Sequence, residues 1–274
     1  MDLVLVIGQI MKKDKILINI EDLSNVKEYK KLGITNFLFP LKGYSIGYKS
    51  FTFDELSKLN CNVYVLVNRL LTDEDIDEFL QLKIPSNIKG FIIEDIGLYE
   101  ELKGRGYELI NFQNHLNNNY KTVNYWLKYY DSLVISTDIT REEIKKIVDE
   151  ASKPLILNTF GYPMIMYSRR NLVSNFYKHL DKEEKKEIDI KENLSNAHFF
   201  LKESEYGTAV FNNRPFDYRS MIDELDDEKI KFYLINEAYT NIQIIKDVID
   251  GKSIPNATTG FLDKKTVYRV GDLK

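Results

Sequence analysis

A tyrosine, a serine and two arginines follow one another at Tyr167, Ser168, Arg169 and Arg170, inside the run FGYPMIMYSRRNLVSN over residues 160–175. Guanidinium forks suit phosphate or carboxylate bidentately. The run reads as a strand end, a turn shaped by Gly161 and Pro163, and a helix opening at Ser168. Two cations in the first turns of a helix oppose its dipole. A bound anion would offset that cost, and ion pairs with nearby acids are the alternative. Ser168 lacks the Gly-x-Ser-x-Gly surround of a hydrolase elbow, and a nucleophilic serine needs a base within hydrogen-bond reach; capping the helix is its other role. Among the carboxylates, Glu94 and Asp95 are adjacent and point to opposite sides of an extended chain, so only one faces a pocket. The other reading is a carboxylate near the cap of the next helix. Asp138 is a third acid–base candidate. The histidines, His115, His179 and His198, share no metal-ligand spacing. His115 lies in the polar stretch FQNHLNNN, between Gln113 and a run of asparagines. The lone Cys61 supports neither a disulfide, a structural zinc nor an iron–sulfur cluster. The expectation is therefore no metal and no cofactor.

These groups need a frame. Branched apolar runs at 15–20, 35–39, 62–67, 89–94, 107–112, 132–136, 153–160 and 231–235 read as eight strands, with helical patterns between them. Ser24 is read as the cap of the first helix. Thr72 and Thr140 open later ones with acids behind them. Strands alternating with helices at this spacing indicate βαβ units and a parallel sheet, and a count of eight favours a (β/α)8 TIM-type barrel. Residues 1–274 are read as one domain. Residues 163–230 are too long for one loop and helix. They are read as an insertion between strands 7 and 8, holding a helix over 168–179, a solvated charge run over 181–191 and a hairpin over 198–211. Function in such a barrel sits at the C-terminal strand ends. That filter gathers Asn68 and Arg69, Glu94 and Asp95, Gln113, His115, Asp138, Tyr167, Arg169 and Arg170, among others. The expected site is a polar, anion-binding pocket there, lined by Arg169, Arg170, Tyr167, Asn68, Gln113 and Asp138. Only one arginine of the pair is expected to face inward, since successive helical residues diverge by about 100°.

Composition sets outer limits. A net charge of −4 argues against bulk electrostatic attraction to nucleic acid but leaves room for a local basic patch. No window is apolar over the ~20 residues a membrane helix needs. The apolar run over 3–10 lacks the basic flank and cleavage site of a secretion signal, so a cytoplasmic location is expected.

The run at 160–175 also resembles the signature of peptidase family U32, the collagenase-like peptidases. Gly161, Tyr167, Ser168, Arg170, Leu172 and Ser174 fall in register with it. Residues 63–68 (VYVLVN), 91–98 (FIIEDIGL), 111–113, 134–143 (VISTDITREE) and 258–267 (TTGFLDKKTV) are similar to the family's other segments, in order. Departures accompany the likeness. Signature cysteines fall on Met164 and Asn171, the signature histidine on Phe160, and two strand-end glutamates on Ile156 and Asp138. The resemblance implies a barrel. It implies a role in or beside tRNA modification, at the wobble uridine, with tRNA or a small anion as ligand and a cluster-bearing paralogue of the family as partner. Its alternatives are a collagenase-like peptidase or protease, a hydrolase, and a non-catalytic scaffold.

Overall fold

The protein, seen as a computed structural model, is described over residues 11–193 and 197–264. The apolar run at 3–10 and the end of the 258–267 segment lie outside the described residues. Strands β1 (Ile16–Asn19), β2 (Asn36–Pro40), β3 (Asn62–Val67), β4 (Ile88–Ile93), β5 (Glu108–Asn111), β6 (Ser132–Leu133) and β7 (Leu155–Gly161) alternate with helices. The helices are α1 (Leu23–Lys31), α2 (Phe53–Leu56), α3 (Asp73–Gln81), α4 (Ile96–Leu102), α5 (Tyr120–Trp126) and α6 (Arg141–Glu150). There follow β8 (Met164–Ser168), α7 (Leu172–His179), β9 (Glu187–Lys191), β10 (His198–Ser204), β11 (Gly207–Asn212), β12 (Phe216–Asp217), β13 (Ile230–Asn236) and α8 (Ile242–Ile249).

Nine strands form one curled sheet in the order β12-β7-β13-β1-β2-β3-β4-β5-β6. All neighbours in it are parallel except β12, which runs antiparallel to β7. The curl brings Val134, just past β6, into a parallel bridge with Ile156 of β7. There the Ile135 N–H donates to Ile156 O at 3.0 Å. The fold is thus mixed α/β with a barrel-like, mostly parallel sheet. Its strands are apolar on both faces because helices cover one side and the curl encloses the other. The enclosed side is filled by Leu17, Leu38, Leu66, Ile92, Ile110, Val134, Ile156 and Leu234. The helix starts follow the local chemistry: Thr72 with Asp75 and Thr140 with Glu143 close capping boxes, each worth about 1 kcal/mol.

Three local readings are corrected. Asp22, not Ser24, caps α1, because its carboxylate accepts from the Ser24 N–H at 2.9 Å. Ser168 ends a strand and opens no helix: β8 pairs with β11, and α7 starts at Leu172. Part of the charge run is strand β9, where Ile188 and Ile190 alternate with Glu187, Asp189 and Lys191. A period of two is a strand's period. These strands make a second, antiparallel sheet in the order β8-β11-β10-β9. Its aromatic face packs on the loops after β2 and β13, through Ile46, Tyr48, Phe200, Phe211 and Tyr239. Gly47 makes this approach feasible. It sits at φ +82°, and a Cβ there would lie 2.8 Å from the Phe211 ring.

Candidate functional site

Side chains on a strand alternate, so the residue two positions beyond each enclosed apolar residue faces the same interior. Those positions are Asn19, Pro40, Asn68, Glu94, Phe112, Ser136, Asn158 and Asn236. Apart from Pro40 and Phe112, an apolar layer therefore gives way to a polar one at the C-terminal mouth of the sheet. Glu94 contributes the layer's carboxyl. Burial pushes its pKa up to about 7, while His115 draws it back and Asp95 adds to the rise. A carboxyl titrating there is matched to general acid–base work near neutrality. Asp95 instead caps α4 through the Gly97 N–H at 2.8 Å, so the adjacent pair divides as the strand's alternation requires.

The β5–α5 loop builds the side of the site next to Glu94. Gln113 Nε2 donates to Glu94 O at 2.9 Å, and Asn114 Nδ2 donates to Met164 O at 2.6 Å, tying the loop to β8. His115 Nδ1 lies 3.0 Å from Asp138 Oδ2, and both side chains are partly open to solvent. A carboxylate on one ring nitrogen fixes the imidazole's orientation and leaves Nε2 for proton exchange. Glu94, Gln113, His115 and Asp138, separate in the chain, thus meet at one side of the mouth. His115 and Asp138 also border a cleft of about 170 Å³ with Arg214, Phe216, Phe261 and Lys264.

Tyr167 and Arg169 go elsewhere. With Arg69, Asp75, Glu205 and Tyr206 they line a second cleft, of about 280 Å³. The strand-end filter reaches Arg69 beside Asn68 but gives it no role in the expected pocket. Arg69 is only 5% exposed, ion-paired to Asp75, with its guanidinium carbon 4.3 Å from the Tyr206 ring centre and 5.9 Å from that of Tyr44. The signal available was a cation directly after a strand end. Tyr167 donates to Tyr206 O at 3.0 Å. Its phenol pKa is raised by burial and pulled back by Arg69 and Arg169.

The remaining expected residues do not line this cleft or the Glu94 cluster as free groups. Asn68 is fully buried and its amide is engaged with Ile46, accepting from N at 3.1 Å and donating to O at 3.3 Å. It pegs the β2 loop. Ser168 Oγ accepts from the Arg170 N–H at 3.2 Å, in a turn. Arg169 and Arg170 are both exposed, and Arg170 does not border the cleft that Arg169 lines. The dipole argument fails for both, because a strand end and a turn, not a helix, hold them.

Residues 50–250 match the sequence profile of peptidase family U32. The chain belongs to peptidase family U32. Similar folds include the U32 peptidase Mk0906, at 11% identity and TM-score 0.49 over 84% of this chain and 96% of that one. Others are the Bacillus cereus spore cortex-lytic enzyme SleL, at 10% identity and TM-score 0.42 over 90% and 76%, and a Chromobacterium violaceum chitinase, at 8% identity and TM-score 0.41 over 86% and 98%. No curated protein matches the chain. At these identities the folds say nothing of this U32 chain's activity. The iron–sulfur cluster that the family signature implies does not fit the residues present. Met164 and Asn171 replace the cysteines, and Cys61 stands just before β3, at the opposite end of the sheet, its thiol pushed up to about 11 by burial. No group of three or more metal-ligating side chains occurs among the described residues, and no helix among them is long and apolar enough to cross a membrane.

Proposed function

We propose that this U32 chain engages tRNA in the cytoplasm and acts in or beside wobble-uridine hydroxylation, as the partner of a cluster-bearing paralogue. The supporting observation is the cleft of Arg69 and Arg169 with Tyr167 and Tyr206. Cations interleaved with aromatic rings suit a phosphate backbone and stacked bases. The frame proposed for this reading is a single domain whose curled sheet closes as a (β/α)8 barrel, a closure that the Val134–Ile156 bridge supports. In it, residues 163–230 form an excursion over the mouth. The test is mass spectrometry of tRNA nucleosides from a strain lacking the chain. Loss of the hydroxylated wobble nucleoside is expected, and an unchanged nucleoside profile overturns the reading. In vitro, Arg169→Ala should weaken tRNA binding and reduce its salt slope by about one.

A second reading, a collagenase-like peptidase, is favoured by Glu94 beside the His115–Asp138 pair. A buried carboxyl and an oriented imidazole can take a proton from water and return it to a leaving amine. Cleavage of gelatin that disappears in Glu94→Gln would support it, and inert wild-type protein would end it.

A further inference from the structure

In the polar layer at the mouth three buried side-chain oxygens have no hydrogen-bond partner. Asn19 Nδ2 donates to Asn236 Oδ1 at 3.2 Å, which leaves Asn19 Oδ1 buried and without a partner. Asn158 Oδ1 on β7 and Ser136 Oγ beyond β6 are likewise buried and unpartnered. Asn19 and Ser136 are 3% and 4% exposed. Buried polar atoms are normally paired, and unpaired groups gathered in one layer indicate what the layer is built to receive. Here the two amide oxygens can only accept, and a serine hydroxyl can accept as well. Glu94, in the same layer, adds a carboxyl for which no cation partner within hydrogen-bond distance is found among the described residues. Burial is the main cause of its pKa rise to about 7, which His115 offsets only in part. Tyr48, whose phenol is also raised by burial, stands near Glu94 and adds an aromatic wall. Glu94, Asn158 and Asn236 keep partial exposure at the mouth.

We propose that this layer binds a cationic N–H donor, a primary ammonium or a guanidinium, with Glu94 as its counter-charge and Asn19, Ser136 and Asn158 as acceptors. A guanidinium carries only donors, and so does an ammonium. A neutral amide or urea would bring its own carbonyl beside oxygens that already lack donors. An anion would meet Glu94. The inference stands apart from the tRNA reading, which rests on the Arg69–Arg169 cleft, and either can fail alone. The shared chemistry has two sources, a free amine or a basic side chain of a peptide.

The test is calorimetric titration of the full chain at pH 7 with agmatine, butylamine, N-butylurea, butyrate and the capped tripeptide Gly-Arg-Gly, in buffers of different ionisation heat. Agmatine or the tripeptide should bind with net release of protons, since a carboxyl that is partly protonated at pH 7 must ionise to pair with the cation. Glu94→Gln should weaken agmatine about tenfold or more, the scale of a charge-assisted hydrogen bond, and abolish the proton release. Asn158→Asp adds a second carboxylate and should tighten agmatine, which keeps the proposal testable should Glu94→Gln not fold. Tighter binding of the tripeptide than of agmatine identifies a peptide ligand, and the reverse a free amine. N-butylurea binding as well as butylamine, agmatine unaffected by Glu94→Gln, or no cation binding at all would overturn the proposal.

Discussion

Replacing Glu94 by Gln keeps the side chain's shape and removes its titration, which isolates the effect of burial on this carboxyl. In the folded chain the group titrates near 7, against about 4.3 in an unfolded one. The raised value means that the folded chain holds the proton more tightly. The associated stability is fully present below about pH 4 and is lost as pH rises through the folded pKa. A gap of about 2.7 units at ~1.4 kcal/mol each corresponds to about 4 kcal/mol in all, of which about 3.5 kcal/mol is lost by pH 8 and about 1 kcal/mol already by pH 5. Wild type should therefore lose about 2–3 kcal/mol relative to Glu94→Gln between pH 5 and pH 8. Urea unfolding of both proteins at the two pH values reads this directly. Stability curves that stay parallel to within ~0.5 kcal/mol would refute the reasoning, and with it the picture of Glu94 as a carboxyl buried without a counter-charge.

Other substitutions test the frame around the site. Asn68→Ala removes both bonds to Ile46 and should cost about 2–3 kcal/mol, with faster hydrogen exchange at the Ile46 amide. Arg219 is 2% exposed and holds Asp217, Val248 O and Lys252 O; Arg219→Met strands Asp217 and should cost about 3–5 kcal/mol in denaturant unfolding. Gly207 sits at φ +126°, and a Cβ there would lie 2.1 Å from Ser168 O. Gly207→Ala should raise exchange and proteolysis across the second sheet while the amides of β1 to β5 stay protected.

Much of the frame is legible in the residues because burial on both faces makes parallel strands continuous apolar runs. The reading of β3 as 62–67 coincides with its observed span. The second sheet was less legible. MIMYS in β8 has no polar alternation, and an Arg-rich sequence with helix-compatible residues behind it reads as an early helix start. In β9 the alternation was present in EIDIK but was masked by the charges around it. At the site, each residue type was visible but few of the pairings were. His115 and Asp138 lie 23 residues apart and meet because they follow neighbouring strands, so the strand order predicts their contact once it is known. Arg69 and Tyr206 meet only because the second sheet folds back over the mouth, which no local pattern encodes. The interior position of Glu94 follows from Ile92 by simple alternation, but the missing counter-charge depends on every other strand in the layer.

The pairing of β1 with β13 joins Asn19 to Asn236 across 217 residues of chain. A ribosome adding about 5–20 residues per second delivers β13 roughly 10–40 s after β1. Throughout that interval the free side of β1 has no strand to pair with, and the apolar residues meant for the interior lack their last wall. Non-local pairings of this kind form slowly even in a complete chain. The opening strand, ILIN, is thus the segment most open to wrong partners during synthesis, and a growing chain stalled before residue 230 should be the form that chaperones hold and proteases find.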